Sequence, residues 1–433
     1  MKPQFLVAAP HSGAGKTTLT LGILRALSQK GLSVQPFKCG PDYLDPKLHT
    51  IAAGTKSINL DRFMMDDEHI KSLYQHYGTA AEVLVTEGVM GLYDGAVKKE
   101  GSSADLALLL RIPVIMVINA KAMAYSVAAV LLGFKSLCPE LHIAGVIFNF
   151  VEHESHYRIL KAAAEDIGIV PLGFLPQQPA IQIASRHLGL ITAGKDYDSV
   201  IDQAAAHITS HIDLDALLKI TTTDFQSVPP AQKAVSKPQR RILIANDEAF
   251  NFTYEANLAA LATLGQVSYF SPLQDTVLPS ADLIYLPGGY PELYLKTLSA
   301  NTTLLDQLYT YHKNGGRILA ECGGMMYLGQ YITDEEGQQY PMAGILPLGT
   351  GMQFKKLSLG YKRVKIDGIM LKGHEFHYSQ FTELQQHDPD IRIWNARNES
   401  LQLPLFRKTN LLASYFHFYF GNNIKAIERL FFN

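Results

Sequence analysis

Phe5–Ala9, Val34–Phe37, Val83–Thr86, Val114–Ile118 and Ala144–Phe148 are runs of four or five residues rich in Val, Ile and Phe. A continuous apolar run lacks the alternation of a half-exposed strand, so both of its faces must be covered, as in a parallel sheet. The stretches between the runs carry apolar residues at spacings of three and four, as in Leu19, Ile23, Leu24 and Leu27. Strand and helix in alternation predict a doubly wound α/β domain. The full chain of 433 residues exceeds one ordinary domain and predicts two or three.

The alternation pauses at residues 219–240, KITTTDFQSVPPAQKAVSKPQR, which hold three prolines and little periodicity. This reads as a linker between a domain over residues 1–218 and a second over 241–433. In the second, Arg241–Ala245, Val267–Phe270, Leu283–Leu286 and Arg317–Ala320 read as strands, and Leu258–Leu264 and Leu304–His312 as helices. From about Tyr340 the pattern becomes β-like and turn-rich, closing on one aromatic strand, Ala413–Phe420.

Lys and Arg total 38 against 40 Asp and Glu, a net charge of −2, which argues against nucleic-acid binding by general positive charge. Cys39, Cys138 and Cys322 are sparse and distant, which suits a reducing cytoplasm and neither a disulfide framework nor structural zinc. No segment reaches the roughly 18 apolar residues that span a bilayer, so a soluble cytoplasmic protein without a membrane partner is expected. Oligomeric state is not legible; a homodimer stands as an open expectation.

Phe5–Ala9 runs into Pro10-His-Ser-Gly-Ala-Gly-Lys-Thr-Thr18 and then a helix. Such a turn lets backbone N–H groups converge on phosphates at the positive end of the helix. Ser12, Gly13, Gly15, Lys16, Thr17 and Thr18 are the expected ATP-binding residues, with Lys16 on the β- and γ-phosphates and Thr17 on Mg²⁺. Pro10 stands where the motif has its first glycine. Lys38-Cys-Gly-Pro-Asp-Tyr-Leu-Asp-Pro46, Glu87-Gly-Val-Met-Gly-Leu-Tyr-Asp-Gly95 and Asn119-Ala-Lys121 follow the next strands, at the carboxyl ends where ligands collect. Acidic residues there suit Mg²⁺, and a lysine suits phosphoryl charge. Asp42, Asp45 and Asp94 could equally be turn formers beside Pro or Gly, whereas Glu87 ends an apolar strand. Cys39 reads as a packed residue, and Asn149 as a weak candidate for an adenine contact.

In the second domain a strand leads into Glu321-Cys-Gly-Gly-Met-Met-Tyr-Leu328. A nucleophile on a strand-to-helix turn needs small neighbours, and Gly323 and Gly324 supply them. The helix N-terminus is expected to favour the Cys322 thiolate. Gly323 offers one oxyanion N–H and the Leu286-Pro-Gly-Gly-Tyr-Pro-Glu292 turn a second, from Gly288 or Gly289. His417 is the candidate base, while His374 and His377 read as packed or hydrogen-bonded histidines sharing one strand face, with a metal-binding pair as the competing reading. A buried structural cysteine is the competing reading for Cys322.

These segments, together with Asn246-Asp-Glu-Ala-Phe-Asn-Phe252 and Gly373-His-Glu-Phe-His-Tyr378, resemble the cobyrinic acid a,c-diamide synthase family of glutamine-dependent amidotransferases over nearly the whole chain. The resemblance implies a dethiobiotin synthetase-like P-loop domain and a class I glutaminase-like α/β domain. It implies ATP, glutamine and Mg²⁺ as co-substrates and cofactor, and cobyrinic acid, a corrinoid, as acceptor. It makes Cys322 the nucleophile and His417 its activating histidine. It places Asp42, Asp45, Glu87 and Asp94 near nucleotide, metal and substrate, and Lys38, Tyr43 and Leu44 near substrate. Tyr419 stands where typical class I glutaminases carry the third triad residue, a Glu, so a Cys–His dyad is expected. Hydrogenobyrinic acid and nickel-sirohydrochlorin are competing acceptors. A P-loop switch of the partition-ATPase kind is the competing class, and His11 stands where such switches carry an extra lysine.

Overall fold

The computed structural model describes residues 1–181, 197–227, 240–384 and 391–432. Contacts divide the chain into two compact units, Met1–Ala231 and Gln232–Asn433.

The first unit alternates strand and helix: β1 (Lys2–Ala8), α1 (Lys16–Gln29), β2 (Val34–Cys39), α2 (Asp45–Ala53), β3 (Ile58–Leu60), α3 (Asp67–Gly78), β4 (Val83–Glu87), α4 (Ser103–Leu110), β5 (Val114–Asn119), α5 (Val127–Leu137), β6 (Ile143–Asn149), α6 (Glu154–Asp166) and β7 (Val170–Leu175). Helices α7 (Tyr197–His211) and α8 (Leu214–Ile220) follow, then a short β8 (Thr222–Thr223). The sheet order is β3-β2-β4-β1-β5-β6-β7, parallel throughout, with β8 added antiparallel to β1. Central strands β1, β4 and β5 are buried on both faces, which is why they read as unbroken apolar runs. Chain order reverses between β1 and β4, and β1, β2 and β4 deliver their carboxyl ends to one crevice there.

The expected linker begins inside this unit. Lys219 and Ile220 end α8, and Thr222 and Thr223 pair with Pro3 and Lys2. Thr221 donates its hydroxyl to the Leu217 carbonyl at 2.7 Å, which extends order past the point where apolar periodicity fades. Residues 228–239 lie outside the described residues.

The second unit has its own parallel sheet: β9 (Arg240–Ala245), β10 (Gly265–Phe270), β11 (Leu283–Leu286) and β12 (Ile318–Glu321), ordered β10-β9-β11-β12 and continued by strand Leu411–Ser414. Strand Leu405–Lys408 closes the edge antiparallel. A second, antiparallel sheet includes Ser358–Ile366, Ile369–His377 and Phe416–Tyr419. The expected single strand Ala413–Phe420 is therefore two strands in two sheets. Ser414 Oγ accepts the Phe416 N–H at 3.0 Å, a local turn that redirects the chain between them. No helix among the described residues is long and apolar enough to cross a membrane.

Candidate active site

In the first unit, Ala9–Gly15 joins β1 to α1, with Gly13 at φ 82° and Gly15 at φ 96°, a left-handed backbone that a side chain would strain. A Cβ on Gly15 would also meet Asn149 Nδ2 at 2.2 Å. Asn149, at the end of β6, donates to the Ala14 carbonyl at 2.9 Å, so it braces the loop from beneath. Ser12, Gly13, Gly15, Lys16, Thr17, Thr18, Lys38, Asp42, Asp45 and Glu87 all line one cavity of about 670 Å³.

Glu87 lies at the centre, 1% exposed. Its Oε1 accepts from the Thr17 hydroxyl at 2.7 Å and from Lys38 Nζ at 2.9 Å, and its Oε2 lies 2.6 Å from His49 Nε2. Lys38 also pairs with Asp45 at 2.7 Å. Burial alone would raise the Glu87 pKa, but Lys38, His49 and the Thr17 hydroxyl together hold it below the usual carboxylate value. Burial lowers the Lys16 ammonium to about 8, with Lys38 acting in the same sense and Glu87 and Asp94 opposing. Lys16 Nζ donates to the Met90 carbonyl at 2.7 Å.

Asp42 Oδ1 accepts the Leu44 and Asp45 N–H groups at 2.8 and 3.1 Å, a turn at the start of α2. Asp94 is exposed, and its Oδ2 accepts the Gly91 N–H at 3.0 Å. Tyr43 is buried, Leu44 half-buried and Lys121 exposed, and none of the three lines the cavity. Burial pushes the Cys39 thiol up to about 12, in keeping with a packed residue.

No three His, Cys, Asp or Glu side chains among the described residues are arranged to hold a metal by themselves. Magnesium travelling with a nucleotide draws most of its ligands from phosphate and water, and needs few from protein. The Thr17 hydroxyl, its proton directed to Glu87, keeps its lone pairs on the cavity side, so this oxygen donor set fits that ion.

In the second unit Cys322 sits between β12 and helix Gly323–Tyr327 at φ 48°, ψ −109°, a strained position for a residue with a side chain. The turn tolerates only glycine beside it. A Cβ on Gly324 would lie 2.2 Å from the Leu286 carbonyl oxygen, and one on Gly323 would lie 2.7 Å from Pro291 and 3.2 Å from the Gly289 nitrogen. Gly288 in the same turn faces His417, whose Cε1 would lie 2.2 Å from an added Cβ. The Leu286–Glu292 turn thus touches both the Cys322 elbow and the His417 ring. His417 is fully buried, and its ring stacks on His374 at 5.0 Å.

Two expectations change here. Burial raises the Cys322 thiol, Glu292, Glu375 and Glu321 add to the rise, and only the Gly323 N–H acts against it. The helix is a single turn, so its dipole is too small to favour a thiolate. Burial, with His374 and His377, lowers His417 well below its ordinary value, so the imidazole rests neutral and is a weaker base than an exposed histidine. His374 and His377 do not share a surface, since three residues along a strand reverse the face. His374 Nδ1 meets the Tyr254 hydroxyl at 3.1 Å, while His377 bonds Glu375 at 2.9 Å and stacks on Tyr415 at 3.7 Å.

Glu321, one residue before the cysteine, is 1% exposed. Its Oε2 accepts from Tyr285 Oη at 2.8 Å and its Oε1 from the Phe418 N–H at 3.0 Å. Asn257 donates to the Phe418 carbonyl at 2.8 Å and accepts the Phe420 N–H at 2.9 Å. Burial raises Glu321 to about 8.

Residues 5–191 match the CobQ/CobB/MinD/ParA nucleotide binding domain, and residues 241–424 match the CobB/CobQ-like glutamine amidotransferase domain. A cobyrinate a,c-diamide synthase of Listeria innocua is 38% identical, covering 99% of this chain and 98% of its own. The chain belongs to the a,c-diamide synthase family. A hydrogenobyrinate a,c-diamide synthase of Brucella abortus is 40% identical over 95% of this chain and 97% of its own, and a cobyrinate a,c-diamide synthase of Dehalococcoides mccartyi is 38% identical over 97% and 96%.

The sequence reading of this family member missed His49 and gave Glu321 no role. The available signal for His49 was its place on the buried stripe of α2 with Asp45, Leu48 and Ala52, where a histidine needs partners.

Proposed function

We propose that the chain is an ATP- and glutamine-dependent carbon–nitrogen ligase that converts the a- and c-acetate carboxylates of cobyrinic acid to amides. The observation that carries the reading is that one chain holds both a phosphate cradle with Lys16, Thr17, Lys38 and Glu87 on one cavity, and a strained Cys322 elbow whose neighbouring turn lies on the His417 ring. The relatives named for these diamidations support the acceptor class. The relative named for hydrogenobyrinate favours a second reading in which the ring is metal-free, and assays with both purified macrocycles separate the two.

A carboxylate resists ammonia because it is anionic and has no good leaving group. Attack of a substrate carboxylate on the γ-phosphate of ATP gives an acyl phosphate and ADP, and ammonia then displaces phosphate. Lys16 offsets charge on the transferred group, and the backbone N–H groups of the loop after Pro10 hold the phosphates. Thr17, Asp42 and Glu87 would form the protein side of a magnesium ion arriving with the nucleotide, which would supply further positive charge. Asp45 and Asp94 are assigned to the acceptor end, with Lys38, Tyr43 and Leu44.

In the second unit the Cys322 thiol loses its proton to neutral His417 as sulfur attacks the glutamine amide carbon. The Gly289 and Gly323 N–H groups stabilise the oxyanion. His417 returns the proton to the departing ammonia, and water hydrolyses the thioester to glutamate. Cys322→Ala should abolish amidation with glutamine and preserve it with ammonium chloride. Loss of both activities in a folded variant would sink this division of labour.

A further inference from the structure

We infer that His49 is a positioning residue for the nucleotide site: it holds one oxygen of Glu87 so that the other stays on Thr17 and Lys38. The inference rests on the proposed ATP-dependent function and extends it to a residue with no part in the steps above.

His49 projects from α2 and is fully buried. Its Nδ1 lies 3.2 Å from Ser57 Oγ, and its Nε2 lies 2.6 Å from Glu87 Oε2. A carboxylate only accepts, so Nε2 carries a proton and donates it to Glu87, while Nδ1 is paired with the Ser57 hydroxyl. Ser57 is itself fixed, its N–H donating to Thr50 Oγ1 at 3.1 Å, and the Thr50 hydroxyl donating to the Pro46 carbonyl at 2.7 Å. A relay of ordered groups therefore ends on one carboxylate oxygen. The other oxygen takes both the Thr17 hydroxyl and the Lys38 ammonium. Without the imidazole donor, Oε2 becomes a buried anionic oxygen that competes for those same two donors. The carboxylate then turns, and the Thr17 hydroxyl loses the bond that aims its lone pairs at the cavity. Partners that orient a ligand from behind commonly change metal affinity ten- to a hundredfold.

His49→Gln keeps an N–H donor near the place of Nε2, whereas His49→Met has similar bulk and no donor. Calorimetric titration of the full chain with ATP, in magnesium and in EDTA, reads the difference. His49→Met should weaken magnesium–ATP binding roughly tenfold or more and ATP alone by less than about threefold. His49→Gln should stay within about threefold of wild type under both conditions. Equal weakening by Met and Gln, or wild-type affinity in the Met variant, would overturn the inference. Should His49→Met not fold, Ser57→Ala frees the ring more gently; magnesium–ATP binding weakened by about threefold supports the relay, and unchanged binding overturns it. A wild-type chain that binds no magnesium–ATP would instead defeat the proposed function.

Discussion

Glu87 and Glu321 occupy equivalent places in two different sheets. Each is the last residue of a parallel strand, and each is 1% exposed. Their surroundings differ in kind. Glu87 receives a lysine, a histidine and a hydroxyl, and remains ionised despite its burial. Glu321 receives one phenol and one backbone N–H, both neutral, and its pKa rises to about 8. Depth in the sheet therefore does not decide charge; the donors do. One carboxyl belongs to a site that handles anionic phosphates and needs fixed charge. The other belongs to a site whose thiol and imidazole both rest neutral.

The largest test of the contrast removes the cation from the charged cluster. Lys38→Met leaves Asp45 and Glu87 buried without their counter-ion and should cost about 3–5 kcal/mol, measured by urea unfolding of the first unit. A loss below about 1 kcal/mol would mean that the other donors suffice. Next in size is Gly288→Ala, whose methyl would displace the His417 ring. Glutamine-dependent turnover should fall about a hundredfold, with the ammonium-supported reaction retained.

A third test compares the two acids by sign. Glu87, lowered when folded, contributes stability that is present above its unfolded value of 4.5 and is lost as pH falls. Glu321, raised when folded, contributes stability that is present below 4.5 and is lost as pH rises through about 8. Relative to wild type, Glu87→Gln should therefore lose ground as pH climbs from about 2 to 4.5 and hold level above it, whereas Glu321→Gln should gain ground between 4.5 and about 8. Each kcal/mol would appear as a Tm change of about 2–4 °C in units of this size. Parallel trends in the two variants would erase the comparison. The smallest effect is kinetic: alkylation of Cys322 by iodoacetamide should keep rising with pH without levelling off below the ordinary thiol value of 9.0.

What the sequence made legible was local. The Gly13–Thr18 loop and the Gly323–Gly324 turn are dictated by backbone conformation within a few residues, and short motifs report such geometry. The buried strands were equally readable because a run covered on both faces has few solutions. What escaped depends on distant partners. His49 meets Glu87 across 38 positions, and Phe418 meets Glu321 across 97. The helix N-terminus is expected to favour the Cys322 thiolate because the dipole argument is local, while the burial that opposes it comes from the whole unit. The division of Ala413–Phe420 into two strands turns on one serine side chain, which hydropathy cannot register.

The strand that carries His417 pairs with Ile369–His377 on one side, and on the other its Phe418 and Phe420 backbone groups are held by the side chains of Glu321 and Asn257. A neighbouring strand would have accepted a slip of two residues with its ladder intact. Side-chain clasps do not repeat along the chain, so they fit a single register and act as a ratchet with one tooth. The height of the imidazole is thus set by two residues outside the strand, one of them bonded directly to the cysteine's own backbone.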